Sequence, residues 1–494
     1  MDEVSREISL RSGLSAMLWS AAMVGFGEAS FALYAAHILA PNSYFGLLAG
    51  IPNLLGPMAQ VLGANVLERT RHRKTLIRIG IMTQCLLFAP MVVLAFSGST
   101  NVAQKIFLPL VIIYFVSGNF GGPAWNSLIS ELCPSAERAH YFARNARNCG
   151  IMSLGAKVVL FCAVYSATLN SSGSGNFDAV KFQRMSLIFT GMFLISLISR
   201  YISYRAVLKM HEPQYAPPPE SSFTFLQFIL RVRESNFVKY VIFVAAFYFG
   251  AFVSAPFYLP HVVQALHHEQ WEWVVIDCGS ASCSVLTFLY WGRFSARFGN
   301  RATMAFTSVL LSLVPILWIL SNRLIWFIAC QCLAGALWSG FTLACTTYIM
   351  EAVTPGKRAR CFAYFSIFLG SGSFIGAMVG TLLIAHVPVD LTLAGHTFSV
   401  ETPYTYVFLV SFVFRLVASV FFVKLFRELR PVQPFSLRTW AVEIVAVRFP
   451  VGLRLGWLAE PQSEIDPDSG DDDPPPHVTE SDNVTAGSTL RRPE

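Results

Sequence analysis

The chain has 494 residues, of which 54% are hydrophobic and 13% are charged, and its mean hydropathy is +0.53. These values lie far outside the range of soluble domains, so the sequence predicts a membrane protein. The net charge is +7, but it is unevenly distributed. Residues 459–494 form an acidic tail with ten acids and two arginines, and the rest of the chain has a charge of +15. That excess predicts basic loops that set membrane topology and excludes nucleic acid as the partner.

Apolar runs long enough to cross a bilayer as a helix, about 20 residues, recur along the chain. Ten-residue alternation typical of transmembrane strands is missing from the sequence. We therefore predict an all-α membrane protein whose twelve transmembrane helices form two six-helix pseudo-repeats. The predicted spans are roughly 13–39, 44–66, 76–97, 106–132, 147–170, 183–207, 237–263, 271–292, 301–320, 324–352, 360–387 and 403–426.

Basic residues are distributed unevenly between the two sets of alternate loops. One set carries 22, counting the group from Arg200 to Lys239, and the other carries four, namely Lys105, Lys181, Arg184 and Arg323. Because cytoplasmic loops are enriched in Arg and Lys, this ratio predicts that both termini are cytoplasmic. The expected location is the cytoplasmic (inner) membrane, with the chain crossing it many times.

A segment of the chain occurs twice. Asn126–Ala143 and Thr346–Ala363 share six of 18 positions without a gap, and both copies contain a glutamate and an arginine at matching places. Each copy follows a span that ends on the same side, so each span corresponds to the one six later. Such parallel halves are common in helical transporters, whose binding site lies where the halves meet.

The repeat also predicts the domain boundaries. Residues 1–208 form an N-terminal six-helix half, and 209–236 form a cytoplasmic linker that contains three consecutive prolines. Residues 237–428 form the C-terminal half. The remaining residues, 429–494, form a cytoplasmic tail that is predicted to be largely disordered after about 460, because it is acidic, Pro-rich and poor in apolar residues.

A second repeated element lies in the loops after spans two and eight. In the second half, Gly292, Arg297, Gly299 and Arg301 fit the spacing G-x-x-x-D-R-x-G-x-R, with Ala296 in place of the acid. The first half has a looser version, made of Gly63, Glu68, Arg69, Arg73 and Lys74. This arrangement resembles the loop signature of the major facilitator superfamily. The resemblance covers roughly residues 12–428, is greatest to uncharacterised bacterial members, and implies two halves that rock around a central site.

Charged residues at the inner ends of the spans are candidates for a cytoplasmic gate. Helix C-termini attract cations, and an acid one turn away can hold an arginine from a neighbouring helix, so such charges can join the two halves on one side. The alternative is that they only set topology. The gate candidates are Glu68, Arg69, Arg73, Glu131, Arg138, Arg297, Arg301, Glu351 and Arg358.

Five ionisable residues stand out inside predicted spans, namely Glu28, Lys157, Asp277, Arg415 and, less centrally, His37. An ionised side chain there costs about 2.5–3.5 kcal/mol unless it faces a cavity or a partner. Glu28 in span one is near the midplane and is the leading candidate for substrate binding or proton coupling. Lys157 in span five has a similar depth and is its candidate counter-ion, with a purely structural ion pair as the alternative. Asp277 in span eight and Arg415 in span twelve are further candidates.

Glycines recur at every fourth position in span eleven, at Gly372, Gly376 and Gly380. A stripe of small residues on one helix face permits close contact with a neighbouring helix. We therefore predict that span eleven packs tightly against another span through this stripe.

No nucleophile motif, phosphate-binding loop or metal-ligand spacing is present in the sequence, so we expect no enzyme activity, no cofactor and no metal. The predicted function is secondary active transport of a small solute by alternating access, with protons as the candidate coupling ion. The alternative is a non-transporting membrane receptor or scaffold with the same fold. The predicted partners are the lipid bilayer, an unidentified small-molecule substrate and protons, and the protein is expected to be a monomer.

Overall fold

The structure is a computed structural model. It describes residues 3–133, 138–169, 177–213, 235–353, 358–387, 390–393, 396–399 and 402–433. Most of the predicted linker and almost all of the predicted tail lie outside the described residues. The side of the membrane that holds the start of span one, which the basic loops predict to be cytoplasmic, is called the inner side below.

Twelve helices in the described part of the chain are long and apolar enough to cross a membrane, which confirms the predicted number. Span one is built from three consecutive segments, Glu3–Met23, Val24–Glu28 and Ala29–His37. The remaining spans of the N-terminal half are Asn42–Thr70, Arg73–Ser97, Thr100–Leu132, Arg138–Leu169 and Phe177–Leu208. Several of them continue beyond the apolar runs, because a helix does not need to end where the hydrocarbon layer ends.

The C-terminal half repeats this order. Span seven starts as the helix Asn236–Ser254 and continues through Ala255–Phe257, Tyr258–Pro260 and His261–Ala265. Spans eight to twelve are Gln270–Phe298, Asn300–Leu317, Leu324–Ala352, Arg358–His386 and Tyr404–Phe421. Between the last two lies a short antiparallel hairpin, β1 (Asp390–Leu393) and β2 (His396–Ser399), which the sequence analysis does not predict.

Spans one and seven are both interrupted near the same depth. Span one contains a π-helical turn at Val24–Glu28, and span seven contains a 3-10 turn at Ala255–Phe257 that includes Pro256. A π-turn adds one residue to a helical turn and rotates the side chains that follow it, and such turns are frequent at functional sites. Glu28 is the last residue of the π-helical turn, so this turn affects the direction in which the Glu28 side chain points.

Span eleven packs on span seven through the predicted glycine stripe. A Cβ atom on Gly372, Gly376 or Gly380 would lie 2.6, 2.2 or 2.2 Å from backbone carbonyl oxygens of span seven. Real Cβ atoms do not approach backbone oxygens so closely, so only glycine fits at these three positions. The prediction of close helix contact is confirmed.

Gly299 makes the turn between spans eight and nine. Its φ is +91°, a backbone conformation that side chains with a Cβ atom rarely adopt, and a Cβ atom there would also collide with the carboxylate of Glu428. The inner glycine of the G-x-x-x-D-R-x-G-x-R element is thus required by the backbone.

Candidate substrate site between the two halves

Polar contacts join the two halves at their outer ends. They are the ion pair between Lys181 and Glu269 (2.6 Å), the hydrogen bond from Tyr404 to Asn42 (2.7 Å) and the hydrogen bond from Gln264 to the carbonyl oxygen of Ala40 (3.2 Å). An aromatic contact adds to them, since the rings of Tyr165 and Trp271 meet edge to face at 5.3 Å. In the described residues, the outer ends of the two halves are therefore held together.

Spans two and eleven continue this contact toward the membrane centre. A Cβ atom on Gly46 would lie 2.0 Å from the hydroxyl oxygen of Thr381, and one on Gly370 would lie 2.0 Å from the carbonyl oxygen of Asn53. Gly46 is near the outer end of span two, and Gly370 is near the middle of span eleven. The halves thus touch along these two spans from the outer end to about the midplane.

Lys157 forms an ion pair with Asp277 across the halves, with 2.6 Å between Nζ and Oδ2. The prediction that Lys157 is the counter-ion of Glu28 is therefore wrong. Span five lies beside span eight in the outer part of the molecule, and Lys157 is on the face that meets it. Asp277 lies seven residues from the outer end of span eight, opposite Lys157. This pair joins the outer contacts as a fourth polar link between the halves.

Glu28 faces span four. The hydroxyl group of Tyr114, which is fully buried, donates a 2.7 Å hydrogen bond to Oε1 of Glu28. Glu28 as a whole residue is partly buried. Its described partner is a neutral hydroxyl group rather than a cation, so a change in its protonation does not break an ion pair.

Arg200 is a buried cation that the sequence analysis assigns to the inner basic loops, and that assignment is wrong. It lies inside span six and is 9% exposed. Its guanidinium group donates to the hydroxyl oxygen of Ser20 at 2.9 Å and to the side-chain oxygen of Gln84. Gln84 in turn donates to the carbonyl oxygen of Tyr114 at 3.1 Å, so Arg200 and Glu28 belong to one polar network. Its position within the apolar run 183–207 was the feature of the sequence that indicated a place inside the membrane.

A cavity of about 180 Å³ opens beside Arg200 within the N-terminal half. Spans one, three, four and six line it, mainly with small or apolar residues. The polar residues at its wall are Ser20, Asn126, Arg200 and Ser203, and Trp125 closes one side. Trp125, Asn126 and Arg200 thus meet at one cavity, and Arg200 was not predicted to lie there.

The C-terminal half contains an aromatic cluster on spans seven and ten. Tyr248 stacks on Phe252 and meets Trp338 edge to face, with ring centroids 6.2 and 5.5 Å apart, and Trp338 meets Phe341 at 5.7 Å. Aromatic clusters therefore occur in both halves, because Phe31, Tyr114 and Phe193 form a similar one in the N-terminal half.

Arg415 lies apart from this network. It is buried inside the C-terminal half, where its guanidinium group donates to the carbonyl oxygens of Leu311 and Ala251 at 3.1 Å each and to the hydroxyl oxygen of Ser254 at 2.8 Å. These bonds connect spans seven, nine and twelve. The contacts of Arg415 are thus those of a packing element within one half.

The gate candidates with described contacts pair inside their own half. Glu131 forms an ion pair with Arg73, and Glu351 accepts a hydrogen bond from Asn300 (2.9 Å) and pairs with Arg430 (3.4 Å). The two repeated glutamates thus make equivalent contacts. Glu131 contacts the first residue of span three, and Glu351 contacts the first residue of span nine. Glu68, Arg69 and Arg297 are exposed, while the side chains of Arg138 and Arg358 lie outside the described residues.

A second matched pair of contacts links the third and sixth spans of each half. The carboxylate of Glu212 accepts the backbone N–H of Lys74 at 3.1 Å, and the carboxylate of Glu428 accepts the backbone N–H of Arg301 at 2.7 Å. The side chains reciprocate, because Lys74 donates to Leu208 and Met210, and Arg301 donates to Val423. An acid at a helix N-terminus and a cation at a helix C-terminus are both favourable. The internal repeat therefore extends to these inner helix ends.

Comparison with known proteins agrees with this architecture. The family model of the Major Facilitator Superfamily matches residues 273–461. No curated protein matches the chain by sequence. The fold is shared with the nucleoside transporter NupG, with 13% identity, a TM-score of 0.60 and coverage of 87% of this chain and 100% of that chain.

Two other solved structures extend the comparison. The xylose transporter XylE from E. coli, in an inward open conformation, has 14% identity and a TM-score of 0.55, covering 86% of this chain and 97% of that chain. A POT family transporter in complex with a thioalcohol-conjugated peptide has 11% identity and a TM-score of 0.62, covering 85% and 96%. At these identities the likeness establishes the fold alone. With the family match, it confirms the predicted resemblance to the major facilitator superfamily.

Proposed function

We propose that this protein, which resembles the major facilitator superfamily, is a secondary active transporter that moves a small solute across the cytoplasmic membrane by alternating access. It works as a monomer with both termini in the cytoplasm. The observation that carries the proposal is the one-sided contact between the halves. The described polar links between them lie at the outer ends or in the outer part of the spans, and the repeated glutamates at the inner ends do not link the halves. This arrangement is that of a carrier closed to the outside.

Protons are the proposed coupling ion, with Glu28 as their carrier. Its carboxyl group is bonded to the neutral Tyr114, so protonation changes the charge of the site without breaking an ion pair. The repeated acids at the inner ends are less suited to this role, because Glu131 and Glu351 are already paired with arginines.

The proposed function is tested by locking the outer ends. We expect that a Lys181→Cys/Glu269→Cys variant, in a background without the ten native cysteines, loses transport when a short bifunctional thiol reagent bridges the two positions. A reductant that opens the bridge should restore transport. Uptake is measured in proteoliposomes, with a substrate found by a ligand-stabilisation screen of the purified protein.

The matched control is Glu7→Cys/Arg11→Cys, an exposed ion pair within one helix, whose bridging should leave transport unchanged. Full transport by the bridged Lys181→Cys/Glu269→Cys variant would contradict alternating access. A folded protein that no compound stabilises in the screen would instead favour the receptor or scaffold function.

A further inference from the structure

The cavity beside Arg200 contains a positive charge that the described protein contacts do not neutralise. Arg200 has five N–H donors, and its described acceptors are the neutral side chains of Ser20 and Gln84. Among the described residues no acid forms an ion pair with Arg200, and the carboxylate of Glu28 acts on it only through space.

An uncompensated cation in this position is expensive. An arginine at the centre of a membrane helix costs about 2.5–3.5 kcal/mol on insertion scales and less toward the helix ends, and such residues commonly face a cavity or a partner. Arg200 lies in the inner part of span six, between its centre and its inner end. Arg415 shows how a purely structural arginine is accommodated here, because two backbone carbonyls and a hydroxyl group from two neighbouring spans receive its donors. Arg200 has fewer acceptors and, unlike Arg415, lies at the wall of a cavity.

The shape of the cavity indicates the size of its occupant. Its volume is about 180 Å³, slightly more than the roughly 150 Å³ of an engineered protein cavity that binds benzene. Glycines form part of the wall, and a Cβ atom on Gly122 would meet nothing within 4 Å, so there is room on this side. Trp125 provides an aromatic face at the edge.

We propose that this cavity binds the anionic group of the transported solute, and that the solute is an organic carboxylate of about the size of benzoate. The inference rests on the proposed transport function and adds the substrate class to it. The planar guanidinium group matches a carboxylate in geometry, and hydrogen bonds between two charged groups are about twice as strong as neutral ones. Arg200 is the residue that recognises the carboxylate, and the small residues around it accommodate the ring.

Benzoate is the probe that tests this site, in equilibrium binding to the purified full-length protein in detergent. We expect that the unmodified protein binds benzoate and that benzamide, a neutral compound of the same shape, binds at least 10-fold more weakly. Because a hydrogen bond to a charged group contributes about 1.5–3 kcal/mol, Arg200→Gln should weaken benzoate binding by about 10- to 100-fold. Arg205→Gln, an exposed arginine on the same helix, is the matched control and should bind benzoate normally.

A second variant keeps the proposal testable if Arg200→Gln does not fold. Gly122→Leu fills the cavity without altering Arg200 or its two bonds, and it should abolish benzoate binding. Absence of benzoate binding by the unmodified protein, equal binding of benzamide, or normal benzoate binding by Gly122→Leu would each overturn the proposal.

These outcomes are separate from those of the crosslinking test, which does not use benzoate. A protein that passes the crosslinking test but does not bind benzoate is a transporter with another substrate class. One that binds benzoate through Arg200 but transports nothing has the site without the proposed function.

Discussion

Replacement of Glu28 by glutamine is expected to abolish proton-driven accumulation of the solute while exchange of solute across the membrane continues. Glutamine has the shape of a protonated glutamate and can still accept the hydrogen bond from Tyr114, so the local structure should survive. It cannot bind and release a proton, so a proton gradient can no longer drive the cycle. Gradient-driven uptake and counterflow exchange, both measured in proteoliposomes, separate these two effects.

The control for this prediction is Glu7→Gln in the same span. Glu7 is exposed and pairs with Arg11 at the inner end, away from the polar network of Glu28. Its loss should change neither measurement, and both variants should reach the membrane in normal amounts. Gradient-driven uptake by Glu28→Gln at the level of the unmodified protein would dismiss Glu28 as the coupling residue.

A clear loss of stability is expected from Gly376→Ala in span eleven. The added Cβ atom would lie 2.2 Å from the carbonyl oxygen of Phe249, and backbone on both sides prevents an easy shift. Overpacking of this kind typically costs about 1–3 kcal/mol, in spite of the higher helix propensity of alanine. The melting temperature of the purified variant in detergent should therefore fall clearly.

Gly191→Ala in span six is the matched substitution without a clash, because a Cβ atom there meets nothing within 4 Å. It should leave the melting temperature unchanged or raise it, since alanine favours a helix over glycine by about 1 kcal/mol. If the two variants had the same melting temperature, the close contact between spans seven and eleven would not be the reason for the glycine stripe.

Features that depend on composition and periodicity could be predicted from the sequence. Twelve spans follow from apolar length, and the parallel halves follow from one repeated segment. The glycine stripe of span eleven was also recognised, because four-residue spacing puts its members on one face whatever the neighbour is. Each of these features can be recognised within a short stretch of sequence or by comparing one part of the chain with another.

Partners of charged side chains could not be predicted in the same way. Lys157 and Glu28 have similar depths, but their contacts depend on which helix each residue faces, and the π-turn before Glu28 changes that direction. Arg200 was missed for another reason, because it is close enough to the inner end of span six to be counted with the loop. Depth along a helix is readable from a sequence, whereas rotation about the helix axis and the identity of the neighbour are not.

The central claim is that closure of the outer ends excludes closure of the inner ends. It is tested most directly by electron–electron distance measurements on two spin-label pairs. An inner pair joins exposed Thr70 to exposed Ala296, and an outer pair joins Val102 to Leu320, which are 46% and 64% exposed. Each pair is measured with and without Asp277→Lys, which replaces the acid opposite Lys157 by a second cation and so breaks an outer link. Our account predicts that this substitution lengthens the outer distance and shortens the inner one; an outer distance that lengthens while the inner one stays the same would contradict it.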